Sequence, residues 1–513
     1  MEQRQSSVSE KETGRGLATW STEEIERFQL ASDVQYSKLV AVAHPLRETI
    51  YQIEWNRKSG FIDWLPISSR GKVDRLETVG NMVSEFVSAD NRPVIAAING
   101  DFFSYTGTPS GLQMVDQEII TSPLKTKALL AQLQSGGHVF RENVEMKAKL
   151  DTKDGEEPLM LDAINRPRDA RRQDVAVLYN WRFGQSTRSL EGGTGVVIRT
   201  GSEGDFRDRL TAGNVLKGAV ESIGPSSDLP IERGFLVLTA YGTKAEWIRR
   251  HLKAGMEVTL SIQYEGLQDA SQVISANSTL GMMLLRDGKI NESILDFSQS
   301  QNLDRHPRTI AASNGEKLVF LVIDGRQPGH SDGMSLAECA SYLQSIGMRD
   351  AMNLDGGGSS TCYARRPGER QPELLNNPSD GFERGIGNAV LIVNNAPKGE
   401  LHRFIVSPCG TALRIVAGSK IKLSAKGVDS NWHPAEVDPQ RIQWEVRGDI
   451  GELDSSGVFT ASRHASKGTI IVRGDHLTET VHVEVMDAIS ELSLQAERPI
   501  VEPGGETRLI FKA

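Results

Sequence analysis

The sequence predicts an α+β protein: a mixed α/β domain with a β-rich elaboration, followed by an all-β immunoglobulin-like sandwich. Three observations support this prediction. Up to residue 397, apolar runs typical of buried strands alternate with segments of helical periodicity. Within that part, residues 140–300 contain short strand-like runs separated by Gly, Pro and Asp. From residue 398, turn residues separate short strands roughly every 8–12 positions, as in a β-sandwich.

The first elements follow from spacing. Residues 1–34 form a polar segment, with a short helix expected near residues 22–30. Apolar side chains at helical spacing predict a helix over residues 76–87. This helix leads into the continuous apolar run 94–98, which is typical of a buried strand. A further helix is predicted near residues 244–252.

A strand, a helix and a strand follow between residues 317 and 355. The run 317–323 is wholly apolar apart from its lysine, and Ser335 and Glu338 form the capping box that opens a helix. Gly347 is placed to end that helix before a short strand at 351–355. Strands joined by a helix of this length imply a right-handed parallel crossover.

Polar side chains stand at three predicted strand ends. Asp324 and Asp355 end the strands of the crossover, and Asn99 and Asp101 follow the strand at 94–98. The carboxyl ends of parallel strands share one edge of a sheet, where α/β proteins bind ligands. If the crossover strands are neighbours, roughly 4.8 Å apart, the two carboxylates lie within reach of one small ligand.

The same stretch contains groups suited to an anion. The glycines at 356–358 let backbone N–H groups form a nest, and no Lys follows them as a nucleotide P-loop requires. Arg308, Arg326 and Arg384 can clamp a phosphate or carboxylate. His306 and His330 can act as general acid or base. Each has a structural alternative, namely a turn, a flexible loop or a surface ion pair. Their concentration in one short stretch favours a site.

Composition excludes several classes of protein. Lys+Arg total 58 against 67 Asp+Glu, a net charge of −9, which gives no support for nucleic-acid binding. The three cysteines make neither a disulfide framework nor a zinc motif, and no apolar run approaches the ~20 residues of a membrane span. Oxygen ligands at Asp101, Asp324 and Asp355 suit Ca²⁺ or Mg²⁺, but no spacing demands a metal, so no cofactor is predicted.

Several motifs resemble the phosphodiester glycosidase family over roughly residues 35–397. They are Arg308-Thr309, Asp324-Gly325-Arg326, the run Gly333-Met334-Ser335-Leu336, the run Asn353-Leu354-Asp355-Gly356-Gly357-Gly358-Ser359-Ser360, and Asn99-Gly100-Asp101-Phe102-Phe103. The animal member of this family is N-acetylglucosamine-1-phosphodiester α-N-acetylglucosaminidase, which has Gly where Asp101 stands here. The resemblance predicts a catalytic domain at 35–397 in which 140–300 is the β-rich elaboration.

The resemblance implies hydrolysis of a sugar-1-phosphodiester at the C1–O bond. Asp324 and Asp355, with Asp101 as a third candidate, are expected to be the catalytic carboxylates. The substrate-binding residues are expected to be Arg308 and Arg384 with the amides of Gly356, Gly357, Gly358 and Ser359 on the phosphate, Asn99 and Asn353 on a sugar hydroxyl or the site itself, and Thr309, Arg326 and His330 around them.

Two other functions remain open from the sequence. The same domain can cleave a phosphate-free polysaccharide, in which case the arginines serve acidic sugars. Alternatively, the chain is a non-catalytic carbohydrate-binding surface protein. In either case the expected partner is a glycan or sugar phosphate of a cell wall, capsule or exopolysaccharide.

The C-terminal part resembles bacterial Ig-like surface modules. One sandwich is predicted at 398–487, and a weak repeat at roughly 85 residues, between 415–423 and 500–509, marks 488–513 as the start of a second, truncated copy. We therefore expect the sequence to be part of a longer protein that associates with the cell wall. An extracellular or cell-surface location with the export signal removed is predicted, with the cytoplasm as the alternative.

Overall fold

The computed structural model describes residues 19–487 except 57–58, 91, 154–156, 202–206, 227, 297, 409 and 411, together with strands at 493–496 and 509–512. Among the described residues, 49% lie in strands and 10% in helices. The protein is thus mostly β, and the prediction of an α+β fold is wrong. The cause is that long antiparallel strands occupy most of the chain between the few helices. The predicted second sandwich module and Cys409 fall largely outside the described residues.

The strands and helices follow one another along the chain with these bounds. Up to residue 99 they are β1 (Ser21–Ala31), β2 (Val34–Ala43), β3 (Leu46–Asn56), β4 (Ile62–Ile67), α1 (Val79–Ala89) and β5 (Val94–Asn99). Next come β6 (Gln113–Val115), β7 (Glu118–Pro123), β8 (Lys125–Leu133), β9 (His138–Thr152), β10 (Leu159–Leu161), β11 (Ala163–Ile164), β12 (Ala176–Tyr179), β13 (Gly193–Arg199), β14 (Val215–Ser226), β15 (Phe235–Ala240), α2 (Gly242–His251), β16 (Glu257–Tyr264), β17 (Ala270–Ala276), β18 (Met283–Arg286) and β19 (Lys289–Ile290). The part around the candidate site contains α3 (Ser300–Leu303), β20 (Arg308–Ser313), β21 (Lys317–Ile323), α4 (Leu336–Ser345), β22 (Asp350–Asn353), β23 (Cys362–Ala364), β24 (Glu373–Leu374) and β25 (Ala389–Asn394).

These strands form three main sheets. The first has the order β1-β2-β3-β21-β20-β22-β18-β19, and the second has the order β24-β23-β5-β25-β4. The third contains twelve strands from β6–β17, and the pairing of β8 with β9 closes that sheet on itself. Apart from the exposed Lys317, strand β21 is apolar and buried on both faces: α4 packs on one, and the five-stranded sheet packs on the other.

The predicted helices are found close to their expected positions, with one exception. The side chain of Thr78 accepts from Asn81 N at the start of α1, and α4 begins with the complete capping box of Ser335 and Glu338. The helix expected near residues 22–30 is wrong, since this segment is strand β1. It pairs with β2 in a hairpin at the edge of the eight-stranded sheet. Tertiary pairing thus overrides the local helical preference of a charged segment.

The predicted crossover is present but its strands are not neighbours. Strands β21 and β22 both pair antiparallel with β20, which lies between them, so they run parallel to each other two positions apart. Asp324 and Asp355 still follow strand ends on the same edge of the sheet. The start of β20, with Arg308 and Thr309, lies between them.

A separate β unit follows the last strand of this part. Its strands are β26 (Arg403–Ser407), β27 (Ala412–Val416), β28 (Lys420–Lys422), β29 (Ser424–Val428), β30 (Pro434–Ala435), β31 (Gln443–Arg447), β32 (Gly451–Leu453), β33 (Val458–Ala461), β34 (Ser466–Gly474) and β35 (Leu477–Met486), followed by the short pair β36 (Ser493–Ala496) and β37 (Leu509–Lys512). Strands β26–β35 form three small sheets around their own apolar core. Its assignment as Ig-like stays a prediction.

Partly buried hydrogen bonds join the β unit to the part of the chain that precedes it. Arg365 Nη2 donates to Trp432 O at 2.9 Å, and Asn394 Nδ2 donates to Asn431 O at 2.8 Å. His433 Nε2 bonds to Ala396 O at 2.8 Å. None of the helices in the described part of the chain has the length and apolar character needed to cross a membrane.

Candidate active site

The strand ends of two sheets meet at one place, where Asn99 joins them. Its Nδ2 donates to Asp355 O at 2.7 Å, and its Oδ1 accepts from Thr309 Oγ1 at 2.7 Å. The amide of Asp355 in turn donates to Gly100 O at 3.1 Å. The structure therefore brings together the predicted residues Asn99, Thr309 and Asp355. The side chains of Asn99 and Thr309 are fully buried and join the strand ends to each other.

Asp324 lies behind this junction, almost wholly buried, with both carboxylate oxygens occupied. Oδ2 accepts from Tyr51 Oη at 2.9 Å, and His330 Nε2 lies 2.8 Å away. Oδ1 accepts from Asn376 Nδ2 at 3.0 Å, and the amide of Asn377 lies 3.2 and 3.3 Å from the two oxygens. So many donors hold the carboxylate in place and orient the His330 ring.

Asp355 is the more open of the two acids. Burial raises the pKa of its carboxyl to about 6, while Ser359, the amide of Gly356 and the charge of Arg384 act to lower it. Asp355 Oδ1 accepts from Gly356 N at 2.9 Å. The buried Ser359 hydroxyl has no hydrogen-bond partner among the described residues. It lowers the pKa of Asp355 because it lies close to that carboxyl. A carboxyl with a pKa near 6 can take or give a proton at neutral pH.

Two arginines lie against the glycine turn that follows Asp355. Gly357 has φ +63°, and a Cβ there would lie 3.2 and 3.3 Å from the terminal nitrogens of Arg326. A Cβ on Gly358 would overlap the guanidinium of Arg384 and the carboxylate of Asp380, which pair at 2.7 Å. The glycines therefore leave room for two guanidinium groups against the turn, that of Arg326 at Gly357 and that of Arg384 at Gly358.

Two residues predicted to bind the substrate, Arg308 and Asn353, are buried. Arg308 is buried, donating from Nε to Met334 O and from Nη2 to Asp304 O, each at 2.8 Å. Asn353 Nδ2 donates to Leu280 O at 3.0 Å, and its buried Oδ1 has no partner among the described residues. Both residues support the loops around the site, and their contact with a substrate stays a prediction.

Asp101 faces a different part of the fold. Its carboxylate accepts from Gly111 N and Ser275 Oγ, both at 2.7 Å, and from Asn277 N at 3.0 Å. Burial raises the pKa of Asp101 to about 7, against these hydrogen bonds and the charge of Arg166. Asp101 thus connects the end of β5 to β17 of the twelve-stranded sheet.

The sequence analysis missed several residues of the site. Tyr51, Asn376 and Asn377 surround Asp324, and Glu48 Oε2 accepts from Ser331 Oγ at 2.9 Å and Gly333 N at 2.6 Å. Burial raises the pKa of Glu48 to about 8. Tyr51 and Glu48 lie on β3, far from the motifs in sequence, and only the pairing of β3 with β21 brings them here. The sequence signal for Glu48 is a carboxylate at a position of a β-strand that faces the protein interior.

The acids do not gather into a metal site. Within the part of the chain that the structure describes, no group of three or more His, Cys, Asp or Glu side chains is placed to hold a metal ion. The carboxylates of Asp101 and Asp324 are instead occupied by hydrogen-bond donors of the protein. Metal independence stays a prediction.

Comparison with known proteins adds a family to this geometry. Residues 207–393 match the family model described as phosphodiester glycosidase, a range that includes Asp324, Asp355 and the glycine turn. The resemblance to the phosphodiester glycosidase family is therefore confirmed over residues 207–393. Residues 207–393 supply β20–β22 and both arginines, whereas Asn99 comes from outside the matched range.

A curated relative supports only a local match. The chain is 30% identical over 129 residues to the SPbeta prophage-derived uncharacterized protein YomE of Bacillus subtilis. The match covers 24% of this chain and 19% of that protein, so the chain spans less than a fifth of its length.

Solved structures share the fold of the phosphodiester glycosidase domain and its surroundings. A hypothetical protein from Synechocystis has a TM-score of 0.56 at 18% identity, over 71% of this chain and 62% of that one. A putative exported protein from Burkholderia pseudomallei gives 0.52 at 20%, over 68% and 74%. At these identities the likeness concerns the fold alone. The zebrafish N-acetylglucosamine-1-phosphodiester α-N-acetylglucosaminidase catalytic domain gives 0.35 at 16%, over 75% and 91%, which is too low to carry an argument.

Proposed function

We propose that this protein hydrolyses the C1–O bond of a sugar-1-phosphodiester. The observation that carries the proposal is that Arg326 lies against Gly357 and Arg384 against Gly358, in the turn that follows Asp355. Two guanidinium groups at one turn can hold one phosphate, and the adjacent carboxylate serves the sugar. The amides of Gly356, Gly357 and Ser359, which the sequence analysis assigned to the phosphate, are already bonded within the protein. The match of residues 207–393 to the phosphodiester glycosidase family model supports a glycosidase-type activity.

The chemistry follows from the leaving group. Water adds to C1 of the sugar, the C1–O bond breaks, and its electron pair passes to the phosphate oxygen, giving a free sugar and a phosphomonoester. The phosphomonoester is already a good leaving group, so the arginines need only stabilise its charge. We assign the role at C1 to the Asp355 carboxylate, which either removes the proton of the water or stabilises the oxocarbenium-like centre. Asp324 holds the His330 ring through the contact of its Oδ2 with His330 Nε2.

We place the substrate in a cell-surface or extracellular glycan. Mild negative charge over the whole chain, together with arginines at one point, favours a ligand with a single phosphate over a polyanion. A β unit docked on the catalytic part fits a protein that works at a polymer surface.

The test uses a simple sugar-1-phosphodiester, N-acetylglucosamine 1-(methyl phosphate), in H₂¹⁸O. We expect release of N-acetylglucosamine and methyl phosphate, with the ¹⁸O label in the sugar. The Asp355→Asn variant should lose this activity while its thermal unfolding stays that of a folded protein. Asp287→Asn, a change of the same type at an exposed position, is the matched control and should leave activity unchanged.

Other outcomes would assign a different activity. Label in the phosphate would show P–O cleavage and contradict the proposal. Turnover restricted to phosphate-free oligosaccharides containing uronic acids would favour the polysaccharide alternative. Binding of glycans from the same panel with no hydrolysis would leave a carbohydrate-binding protein.

A further inference from the structure

Arg326 is held in an unusual conformation beside the site. Its backbone has φ +60°, a left-handed conformation that non-glycine residues adopt at an energetic cost, and its side chain is exposed. An exposed arginine on such a backbone is free to take many rotamers unless another group holds the guanidinium.

His306 supplies that hold. Arg326 Nη2 lies 3.2 Å and Nε 3.4 Å from Nδ1 of His306. A guanidinium has donors only, so Nδ1 must be the acceptor and the ring carries its proton on Nε2. The Arg326 guanidinium thus contacts the imidazole of His306 and also lies against Gly357.

The backbone of His306 is itself fixed from two directions. Its N–H and C=O exchange hydrogen bonds with Met334 at 3.3 and 3.1 Å. The next residue, Pro307, accepts from Gly357 N at 2.9 Å, and a Cβ on Gly356 would lie 2.7 Å from Pro307 O. The imidazole and the glycine turn thus belong to one packed unit, so the position of the ring relative to the turn is set.

We propose that His306 is a positioning residue that aims Arg326 at the phosphate-binding side of the glycine turn, through its Nδ1. The proposal rests on the proposed function for the identity of the anion. The imidazole needs no proton transfer in this role. Burial lowers the pKa of the His306 imidazole, and the positive charges of Arg308 and Arg326 lower it further. The negative charge of Asp304 acts in the opposite direction. The neutral acceptor form is therefore favoured at neutral pH.

Two amide variants separate this role from acid–base catalysis. Asparagine carries its amide oxygen at the position of Nδ1, whereas glutamine carries its amide at the position of Nε2. His306→Asn should keep KM for N-acetylglucosamine 1-(methyl phosphate) close to that of the wild type. His306→Gln should raise KM about tenfold with kcat little changed, the effect of losing one hydrogen bond to a charged group. A pH profile is less suitable, because the Asp355 carboxyl, with a pKa of about 6, contributes its own pH dependence to the rate.

Direct binding makes the test independent of turnover. Inorganic phosphate, titrated calorimetrically, should bind His306→Asn like the wild type and His306→Gln about tenfold more weakly. Arg326→Gln should show the same loss, and the double variant His306→Gln with Arg326→Gln should lose no more than either change alone. His402→Gln, at an exposed histidine outside this unit, is the control.

The outcomes each decide the proposal. Equal loss of kcat in His306→Asn and His306→Gln would assign acid–base catalysis to the imidazole and overturn the positioning role. A wild-type KM in His306→Gln would also overturn the positioning role, as would the absence of phosphate binding by the wild type. If the wild type binds phosphate in the expected order of variants but hydrolyses no phosphodiester, the positioning role stands and the proposed function fails. Thermal unfolding of every variant confirms that the comparison is made on folded protein.

Discussion

The hydroxyl of Tyr51 donates a 2.9 Å hydrogen bond to Oδ2 of Asp324, from the neighbouring strand of the same sheet. Both groups are buried. Burial and the charge of Asp324 raise the pKa of the Tyr51 hydroxyl, so it stays a donor at any physiological pH. This contact fixes the carboxylate that orients His330, and it comes from a strand that none of the sequence motifs touches.

Tyr51→Phe removes this donor without changing the packed ring. We expect a loss of about 1.5–3 kcal/mol in the free energy of unfolding, because a buried carboxylate loses one of its hydrogen bonds. Urea denaturation followed by fluorescence measures it. Tyr105→Phe, at a side chain that is 93% exposed, should change stability by less than about 0.5 kcal/mol. Equal stabilities for the two variants would show that the contact contributes nothing.

The pH dependence of hydrolysis should report Asp355. Its pKa lies at about 6 in the folded protein, above the ordinary value of 3.8, so the carboxylate form is lost as pH falls through 6. We expect kcat/KM to decrease about tenfold per pH unit below that value. For stability the sign is opposite: the native state binds a proton that the unfolded state has released between pH 3.8 and 6, so this group lowers the unfolding free energy as pH rises through that window. A kcat/KM that stays constant down to pH 4 would contradict the role of Asp355.

Gly358→Ala places a methyl group where Arg384 and Asp380 now lie. The Arg384 guanidinium must move away from the turn, and we expect KM for the phosphodiester to rise about 10- to 100-fold through the loss of a charge-assisted contact. Steady-state kinetics measure the change. Gly224→Ala is the matched control, since a Cβ there meets nothing within 4 Å and its φ is not positive. An unchanged KM in Gly358→Ala would remove Arg384 from the phosphate site.

Arg365→Ala should loosen the contact between the two parts of the chain. Arg365 is buried with its Nη2 on Trp432 O, and the nearby Asp429 carboxylate is also buried. Removing the guanidinium leaves the Trp432 carbonyl without its donor and the Asp429 carboxylate without the neighbouring positive charge. We expect the free energy of unfolding to fall by about 2–3 kcal/mol. In differential scanning calorimetry the C-terminal β unit should then unfold as a separate, earlier transition. Arg414→Ala, on an exposed face of that unit, is the control.

Removal of divalent cations should leave hydrolysis unchanged. The carboxylates of Asp101 and Asp324 are taken up by donors of the protein, which leaves them few free oxygens for a cation. Activity is measured after dialysis against EDTA and after return of Ca²⁺ or Mg²⁺. A loss with EDTA that either cation restores would contradict this prediction.

Local signals predicted the elements around the site well. The capping box at Ser335 located the start of α4, and the apolar runs located β5 and β21, because both signals depend on residues close together in sequence. The fold class was wrong for the opposite reason. Antiparallel hairpins such as β1 with β2 derive their stability from pairing partners, and a charged segment such as 21–31 looks helical without its partner in view.

The sequence by itself determined that acidic strand ends, a glycine turn and arginines occur together between residues 308 and 384, and it therefore predicted a site there. Only the tertiary structure decided which of them act as a unit. β20 separates β21 from β22, so Asp324 is enclosed by Tyr51 and Asn376, whereas Asp355 stays open beside Arg326 and Arg384. The reason is physical: a residue type fixes what a group can donate, accept or ionise, but burial and the partners contributed by distant strands fix whether that capacity is used by the protein or left for a substrate.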